Sequence, residues 1–415
     1  MTQPSHGGRL PRNIWVLTLV SFLTDVSSEM VSNLLPIFLA GVLGARTGVV
    51  GLIEGVAETT ASLLKVFSGE LSDRVGRRKL LVVIGYTLST AAKPFLYLAS
   101  SWGWVLGVRF ADRAGKGLRT APRDALMADS VTSSRRGLAF GVQRAGDTAG
   151  AVVGIGLALI FLLTRPGSGD LSRPLFQTIV LWSLVPAGLA VMALVLGVRE
   201  RGSVTPKPPR ARWSLIGLDR RFKFYLMVIL LFTLGNSSDA FLILRARAAG
   251  LSVPGVLGMM LSFNVIYAAL SGPAGALSDR IGRRRLLLAG WGVYAFTYLG
   301  FAWMRAPWQA WVLMSVYGVY YALTEGVGRA FVADLVSPEA HGAAFGVYHA
   351  AIGLAALPAS LLAGILWQGI GAWPGLGPSA PFLVGGGLSL AAMVLLTRLP
   401  KAAGATAGSG ALSRR

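Results

Sequence analysis

The chain has no cysteine, only three histidines, and only 18 acidic residues against 39 basic ones, and charged residues make up just 14% of its 415 positions. Without cysteine there can be neither disulfides nor thiolate metal sites. Two of the histidines, His6 and His341, fall outside the expected helices, so no metal-ligand spacing is available and no metal is expected. Gly115-Lys116-Gly117 lacks the glycine-rich approach and the following Ser or Thr of a phosphate loop, which argues against ATP-driven work. No nucleophile, base and oxyanion donors can be grouped, so neither an enzyme nor a cofactor is expected.

What is abundant is apolar surface. Hydrophobic residues are 53% of the chain and the mean hydropathy is +0.61, outside the usual range of soluble domains. A bilayer core of about 30 Å needs roughly 20 helical residues to cross it. Twelve such windows fit: 14–43, 47–68, 80–99, 102–121, 138–163, 175–198, 222–244, 254–274, 286–304, 308–327, 343–367 and 380–397. Charge interrupts the first, second, fourth and fifth of them most. The basic stretch before Trp15 resembles the start of a signal peptide, but the run that follows is too long and contains Asp25 and Glu29, so a retained first helix is expected.

The formal charge of +21 is distributed by topology rather than gathered for nucleic acid, and no nucleic-acid partner is expected. With both termini cytoplasmic, the inner tails and loops hold 24 of the 39 Lys and Arg and the outer loops six, the positive-inside pattern of a multi-pass inner-membrane protein. The densest cluster, from Arg199 through Lys207 to Lys223, mixes prolines with basic residues and reads as a flexible linker facing membrane lipid.

The chain is written twice. GELSDRVGRRK from Gly69 returns as GALSDRIGRRR from Gly275. Around it, Phe22, Ser27, Ser28 and Glu29 match Phe232, Ser237, Ser238 and Asp239, Ala128-Asp129 matches Ala333-Asp334, and Phe140-Gly141-Val142 matches Phe345-Gly346-Val347. Two homologous six-helix halves follow, residues 1–198 and 222–415, joined by the linker 199–221.

The doubled Gly-x-Leu-x-Asp-Arg-x-Gly-Arg-[Arg/Lys] loop resembles the signature of the major facilitator superfamily, and the resemblance covers nearly the whole chain. It implies an all-α membrane fold of twelve helices, working by alternating access. SFLTDVSSEM from Ser21, DRAGKGLRTAPRDA from Asp112 and LTEGVGRAFVADL from Leu323 are similar to a prokaryotic permease subgroup of largely uncharacterised members. Two further patterns of the superfamily fit imperfectly: Arg113 stands where glycine should follow Arg109, and Ala151 where proline should interrupt Gly146, Gly150 and Gly154.

By the same resemblance, Asp73 and Asp279 are expected to meet helix N-termini of the opposite half and close the cytoplasmic side. Their loops supply Gly69, Arg74, Gly76 and Arg77 in one copy and Gly275, Arg280, Gly282 and Arg283 in the other. Arg77 with Asp129, and Arg283 with Asp334, are the expected supporting pairs. The glycines of the fifth helix are expected to pack, as are Gly353, Pro358 and Gly364 of the eleventh.

Nine basic residues remain at membrane depth: Lys65, Lys93, Arg109, Arg113, Lys116, Arg119, Arg123, Arg144 and Arg329. Asp25 and Glu29 share one helix face at i and i+4, as do Glu54 and Glu58, while Arg109, Arg113 and Lys116 form a stripe on the fourth helix beside Asp112. Two readings stand side by side. These charges are structural salt bridges, or they line a path for substrate and protons. The second half puts Gly235, Met260, Asn264 and Gly318 where the first has Asp25, Glu54, Glu58 and Arg113, which points to a chemically specialised first half. The second half keeps Asp239, Glu325 and His349, the last aligned with Arg144 and the one interior group that ordinarily titrates near neutrality.

The expected function is secondary active transport of a small solute by a monomer, coupled to protons and directed outward, with Asp25 and Glu29 as proton carriers and Arg109 or Arg113 as counter-charge. Uptake of an organic anion is the alternative within the class. A receptor or lipid scramblase on the same scaffold is the alternative outside it, disfavoured by the absence of an attached signalling domain and by gate motifs in both halves.

Overall fold

The computed structural model describes residues 10–75, 77–132, 135–164, 170–200, 219–336 and 341–399. Gly76, most of the 199–221 linker and both tails lie outside the described residues. The described chain forms twelve long helical segments: α1 Arg12–Val42, α2 Thr47–Val75, α3 Arg78–Ala92, α4 Trp102–Ser130, α5 Arg136–Leu163 and α6 Arg173–Gly197, then α7 Arg220–Ala248, α8 Val253–Ile281, α9 Arg283–Trp303, α10 Pro307–Asp334, α11 His341–Gln368 and α12 Ala380–Thr397. Eight of them are long and apolar enough to cross a membrane on composition alone. The exceptions are α2, α3, α4 and α10, whereas α1 and α5 qualify despite their charges. Three of the four exceptions carry the interior charges and tyrosines described below, and α3 is short, ending in the turn Lys93–Leu96.

Two helices are broken where the sequence offers the backbone an alternative. α1 is regular over Arg12–Ser32 and resumes at Leu35–Ile37, where Pro36 has no amide hydrogen to give to the preceding turn. α7 runs over Arg220–Gly235 and Ala240–Ala248, and the intervening Asn236-Ser237-Ser238-Asp239 is not helical. Short polar side chains compete for nearby backbone groups, so this string unwinds easily. The break leaves Asp239 at the head of a new helix.

α1 begins, and α6 and α4 end, on one side of the molecule. Asn13 gives a hydrogen bond to the Arg199 carbonyl at 2.8 Å and one to Ser130 at 3.4 Å. We call this the tail side and the opposite face the far side. Within the first half, α5 packs against α1 backbone to backbone. A Cβ on Gly150 would lie 2.4 Å from the Phe22 carbonyl oxygen, and one on Gly154 2.4 Å from that of Val26, so the glycine spacing is used for packing as expected.

The halves meet along α2 with α11 and along α5 with α8. Towards the far side the α2–α11 seam is closed by small residues. A Cβ on Gly51 would lie 2.2 Å from the Ser360 oxygen, one on Gly55 2.8 Å from Leu357 Cα, and one on Gly364 2.5 Å from Gly48 Cα. At its far end the Thr47 amide donates to Gln368 Oε1 at 2.7 Å. A second link between the halves, Arg247 to Asp170 at 2.5 Å, lies on the same side.

The internal repeat carries a one-residue shift that the string match hides. Arg283 opens α9 and bonds Asp334 at 2.6 Å and the Ala330 carbonyl at 2.6 Å. In the first half the residue that makes both contacts, to Asp129 and the Ala125 carbonyl, is Arg78 and not the expected Arg77. The first-half loop is one residue longer, so the helix-opening arginine is the second of the pair. Gly282, at φ 94°, makes the tighter turn in the second half, a conformation that favours glycine.

Gly51→Leu cannot be seated without parting α2 from α11. Overpacking costs about 1–3 kcal/mol, which predicts a roughly ten-fold faster maleimide labelling of Ser360→Cys than in the parent. Gly156→Leu, where a Cβ meets nothing within 4 Å, should leave the rate unchanged. Equal labelling in both variants would show that the seam is not the seal.

Candidate functional site: a charged wall facing a tyrosine wall

The interior charges of the first half do not pair as the stripes on α1 and α4 suggest. Arg109 on α4 gives Nη2 to both oxygens of Glu54 on α2, at 2.8 and 2.7 Å, with both side chains buried. Arg113 stands 3.6 Å from Glu58, and Asp112 bridges the arginines from 4.0 and 3.8 Å. The counter-charges of Arg109 and Arg113 are therefore the α2 carboxylates rather than Asp25 and Glu29. The reason is reach: α2 packs directly on α4 along much of its length, whereas α1 touches α4 little. Lys93, also buried, gives its ammonium to Ser27 Oγ at 2.5 Å and Ser28 Oγ at 3.2 Å. Arg119 bonds Ser89 at 2.6 Å and lies over the Tyr86 ring at 4.3 Å.

Asp25 faces α5. A Cβ on Gly150 would come within 3.1 Å of its Cβ, and the charges acting on it are Asp147 and Glu29 with Lys116 and Arg119 opposing. Glu29 accepts a hydrogen bond from Asn33 at 2.9 Å, and Asp147 one from Gln143 at 3.3 Å. Among the described residues none of these three acids has a cation within 4 Å, and the Lys116 ammonium has no hydrogen-bond partner.

The second half is built from phenols. Asp239, placed at the break in α7, accepts hydrogen bonds from Tyr317 at 2.8 Å and Tyr321 at 3.3 Å. Around it Tyr294, Tyr298, Tyr317, Tyr320 and Tyr321 contact one another at centroid distances of 4.1 to 6.4 Å, in stacked and edge-on pairs. Tyr294 also gives its hydroxyl to the Gly235 carbonyl at 2.8 Å, satisfying a helix end freed by the α7 break. The charges that Asp239 faces from the first half are Glu58 and Glu54.

On the tail side the two walls are joined by one polar cluster. Glu325 of α10 takes Arg144 of α5 at 2.8 Å and the Tyr267 hydroxyl on Oε2, and Arg329 at 2.7 Å on Oε1. Arg144 in turn bonds the Tyr267 oxygen and lies over its ring. A cavity of about 480 Å³ opens around this cluster, reaching Arg123, Asp124, Asp147 and Gly275. His349 does not mirror Arg144: it packs on Phe345 and Tyr348 in a neighbouring recess with Lys65.

Apart from Gly275, which lines the tail-side cavity, the described residues of the motif loops lie outside this path. Arg74 pairs with Glu70 at 2.5 Å, Arg77 and Arg280 are exposed, and the Asp73 side chain lies outside the described residues. A Cβ on Gly69 would meet Ala121 at 3.4 Å. The Asp279 carboxylate is 69% exposed and, among the described residues, forms an ion pair only with Arg283 of its own half, at 3.7 Å. Among the described residues, Asp279 does not make the expected contact with a helix N-terminus of the other half in this conformation, in which the far side is sealed and the cavity lies towards the tail side.

The sequence matches the profile of the Major Facilitator Superfamily over residues 17–260 and 246–413. The chain belongs to that superfamily. An uncharacterised MFS-type transporter of Methanocaldococcus jannaschii is 36% identical over 93% of this chain and 94% of its own length. The multidrug resistance protein MdtG of Citrobacter koseri is 26% identical over 74% of this chain and 76% of its own. Among solved structures, the nucleoside transporter NupG superposes with a TM-score of 0.72 at 13% identity, covering 93% of this chain and 98% of that one. The chain is thus a multi-pass membrane transporter of this superfamily, with the two-half fold.

Four residues of the site escaped the sequence reading: Asp147, Tyr267, Tyr317 and Tyr321. The signal for two of them was present. At the 205-residue offset of the later repeat matches, Tyr317 and Tyr321 stand where the first half has Asp112 and Lys116, so the α4 charge stripe is replaced by phenols on α10. Asp147 was readable too, as an acid lying between Gly146 and Gly150. Nothing in the local sequence marks Tyr267, which acquires its role by crossing between halves.

Removing one partner of a buried pair leaves an uncompensated charge, at a cost of about 3–5 kcal/mol. Glu54→Gln should therefore lower the melting temperature markedly, and Glu54→Leu combined with Arg109→Met should restore most of it. A Glu54→Gln protein that melts with the parent would contradict the pairing.

Proposed function

We propose that the chain is a proton-coupled exporter of a small solute, working as a monomer in the plasma membrane with its tail side in the cytoplasm. The observation that carries this is the sorting of the interior acids. Glu54, Glu58, Asp112 and Glu325 each have an arginine within 4 Å. Asp25, Glu29, Asp147 and Asp239 have none among the described residues. A carboxylate held at membrane depth without a counter-ion costs several kcal/mol, a cost relieved by taking up a proton when the surroundings are dry or by admitting water. Those acids are suited to load and release protons as the cavity changes sides, whereas the paired acids are suited to hold α2 against α4.

In this cycle the tail-side cavity admits the solute while Asp25 and Asp147 release protons towards the cytoplasm. Parting of the α2–α11 seam and closure of the tail side then expose the same groups outward, where the solute leaves and protons return. Closure is the step at which Asp73 and Asp279 reach the helix N-termini of the other half, and the Arg144–Glu325 cluster is the contact already drawing the halves together. The count of 24 inner and six outer Lys and Arg supports the orientation. The likeness to MdtG supports outward transport.

The test uses proteoliposomes and a solute found by thermal stabilisation of the purified protein. Asp25→Asn should abolish pH-driven accumulation and preserve solute exchange, which moves no net protons. If Asp25, Glu29 and Asp147 are merely structural, their neutral variants should lose both activities together with protein yield. Full pH-driven transport in Asp25→Asn, Glu29→Gln and Asp147→Asn alike would overturn the assignment.

A further inference from the structure

Beyond the tail-side cluster lies a second recess of about 320 Å³, enclosed almost wholly by the second half. Its volume falls at the small end of the about 300–1,000 Å³ typical of small-molecule sites. Tyr225, Phe232, Trp291, Tyr320, Tyr348 and His349 form its walls. Phe232 and Trp291 stack at 4.5 Å, and Tyr225 and Tyr348 lie nearly parallel, 9° apart. Walls of aromatic faces reward a flat ring, which gains stacking and edge-on contacts that a puckered or branched aliphatic solute lacks.

The polar groups of the recess specify the charge of that solute. Glu325 reaches it, but both its oxygens are occupied, one by Arg329 and the other by Arg144 and Tyr267. Among the described residues that line the recess, no free carboxylate is left to receive a cation. Lys65, by contrast, enters from α2 of the first half and makes no hydrogen bond or ion pair among the described residues. The uncompensated charge is therefore positive. The Tyr225 hydroxyl, fully buried against Tyr348, has no hydrogen bond of ordinary geometry. The Asn236 side chain, at the α7 break, lines the same space and leaves further polar atoms to satisfy.

We propose that this recess binds a planar aromatic ring bearing one anionic group, an aromatic carboxylate by class, with its ring among Trp291, Phe232 and Tyr320 and its carboxylate on Lys65. The inference rests on the transport reading in taking the recess as part of the solute path. Because Lys65 belongs to the first half and the ring wall to the second, such a solute bridges the halves. Its binding is then sensitive to their relative position, as a transported solute's must be.

The experiment is calorimetric binding to the purified full-length protein, with 2-naphthoate as probe and cyclohexanecarboxylate, 2-naphthylmethanol and 2-naphthylmethylammonium as its three controls. The expected order puts 2-naphthoate first, with the ammonium weakest. Lys65→Gln should weaken 2-naphthoate about ten-fold or more, as loss of a charge-assisted contact does, and leave 2-naphthylmethanol unchanged. Ile352→Phe, which narrows the recess without removing a polar group, should abolish binding of all ring compounds and serves as an independent probe should Lys65→Gln fold poorly. Failure of 2-naphthoate to bind, equal binding of the ammonium, or indifference to both substitutions would overturn the proposal. Binding as expected, joined to an absence of pH-driven flux, would instead refute proton coupling and leave the recess assignment standing.

Discussion

The far-side half of the α2–α11 seam is the contact on which this conformation depends. Its closeness is a backbone property: Gly51, Gly55 and Gly364 let two helices approach until one residue's missing Cβ would overlap the other's main chain. Without a hydrophobic drive between helices in lipid, such packing and the few hydrogen bonds that cross it supply the attraction. A seam of this kind adds little side-chain interdigitation and so parts as a unit. That is what a seal that must open needs. The Thr47–Gln368 and Arg247–Asp170 contacts are polar and peripheral, and water can replace them once the helices separate.

Duplication gave both halves the same helices, but their interiors have diverged in chemistry. The first half keeps its charges on α2 and α4, where Glu54 with Arg109 and Glu58 with Arg113 lock two helices together. The second half replaces those pairs with tyrosines that satisfy one acid, Asp239, and otherwise bury their rings. A wall of charges opposite a wall of phenols gives a cavity that is polar on one face and ring-shaped on the other. The charged face also contains acids that have no cation within 4 Å among the described residues. The first half is thereby divided into acids paired with arginines and acids without one among the described residues, a division that residue type alone does not reveal.

The fold was legible because it rests on long-range regularities: apolar windows, the asymmetric placement of Lys and Arg, and the loop beginning at Gly69 repeated from Gly275. Pairing was less legible. Helical spacing correctly put Glu54 and Glu58 on one face and Arg109 and Arg113 on another, but which stripes meet depends on which helices touch, and α2 rather than α1 supplies α4 with its partners. The ungapped string repeat aligns Arg77 with Arg283, while the chain has one extra residue in the first-half turn, so Arg78 takes the role. The tyrosine wall was overlooked because tyrosines in an apolar helix look like core until a break elsewhere, here at Asn236–Asp239, presents them with an acid.

In the proposed cycle the far side opens as the tail side closes, and protonation of the first-half acids drives the return to the tail-open form. The most direct measurement is electron–electron distance spectroscopy in this naturally cysteine-free chain. One spin-label pair at Leu138→Cys and Leu277→Cys spans the tail side, and another at Ile160→Cys and Leu376→Cys spans the far side, all at exposed positions. With Asp25→Asn as a mimic of the protonated acid, which in this cycle returns the protein to the tail-open form, the tail-side distance should be longer and the far-side distance shorter than in the parent at high pH. Distances that lengthen together, or a far-side distance that never changes, would contradict the account.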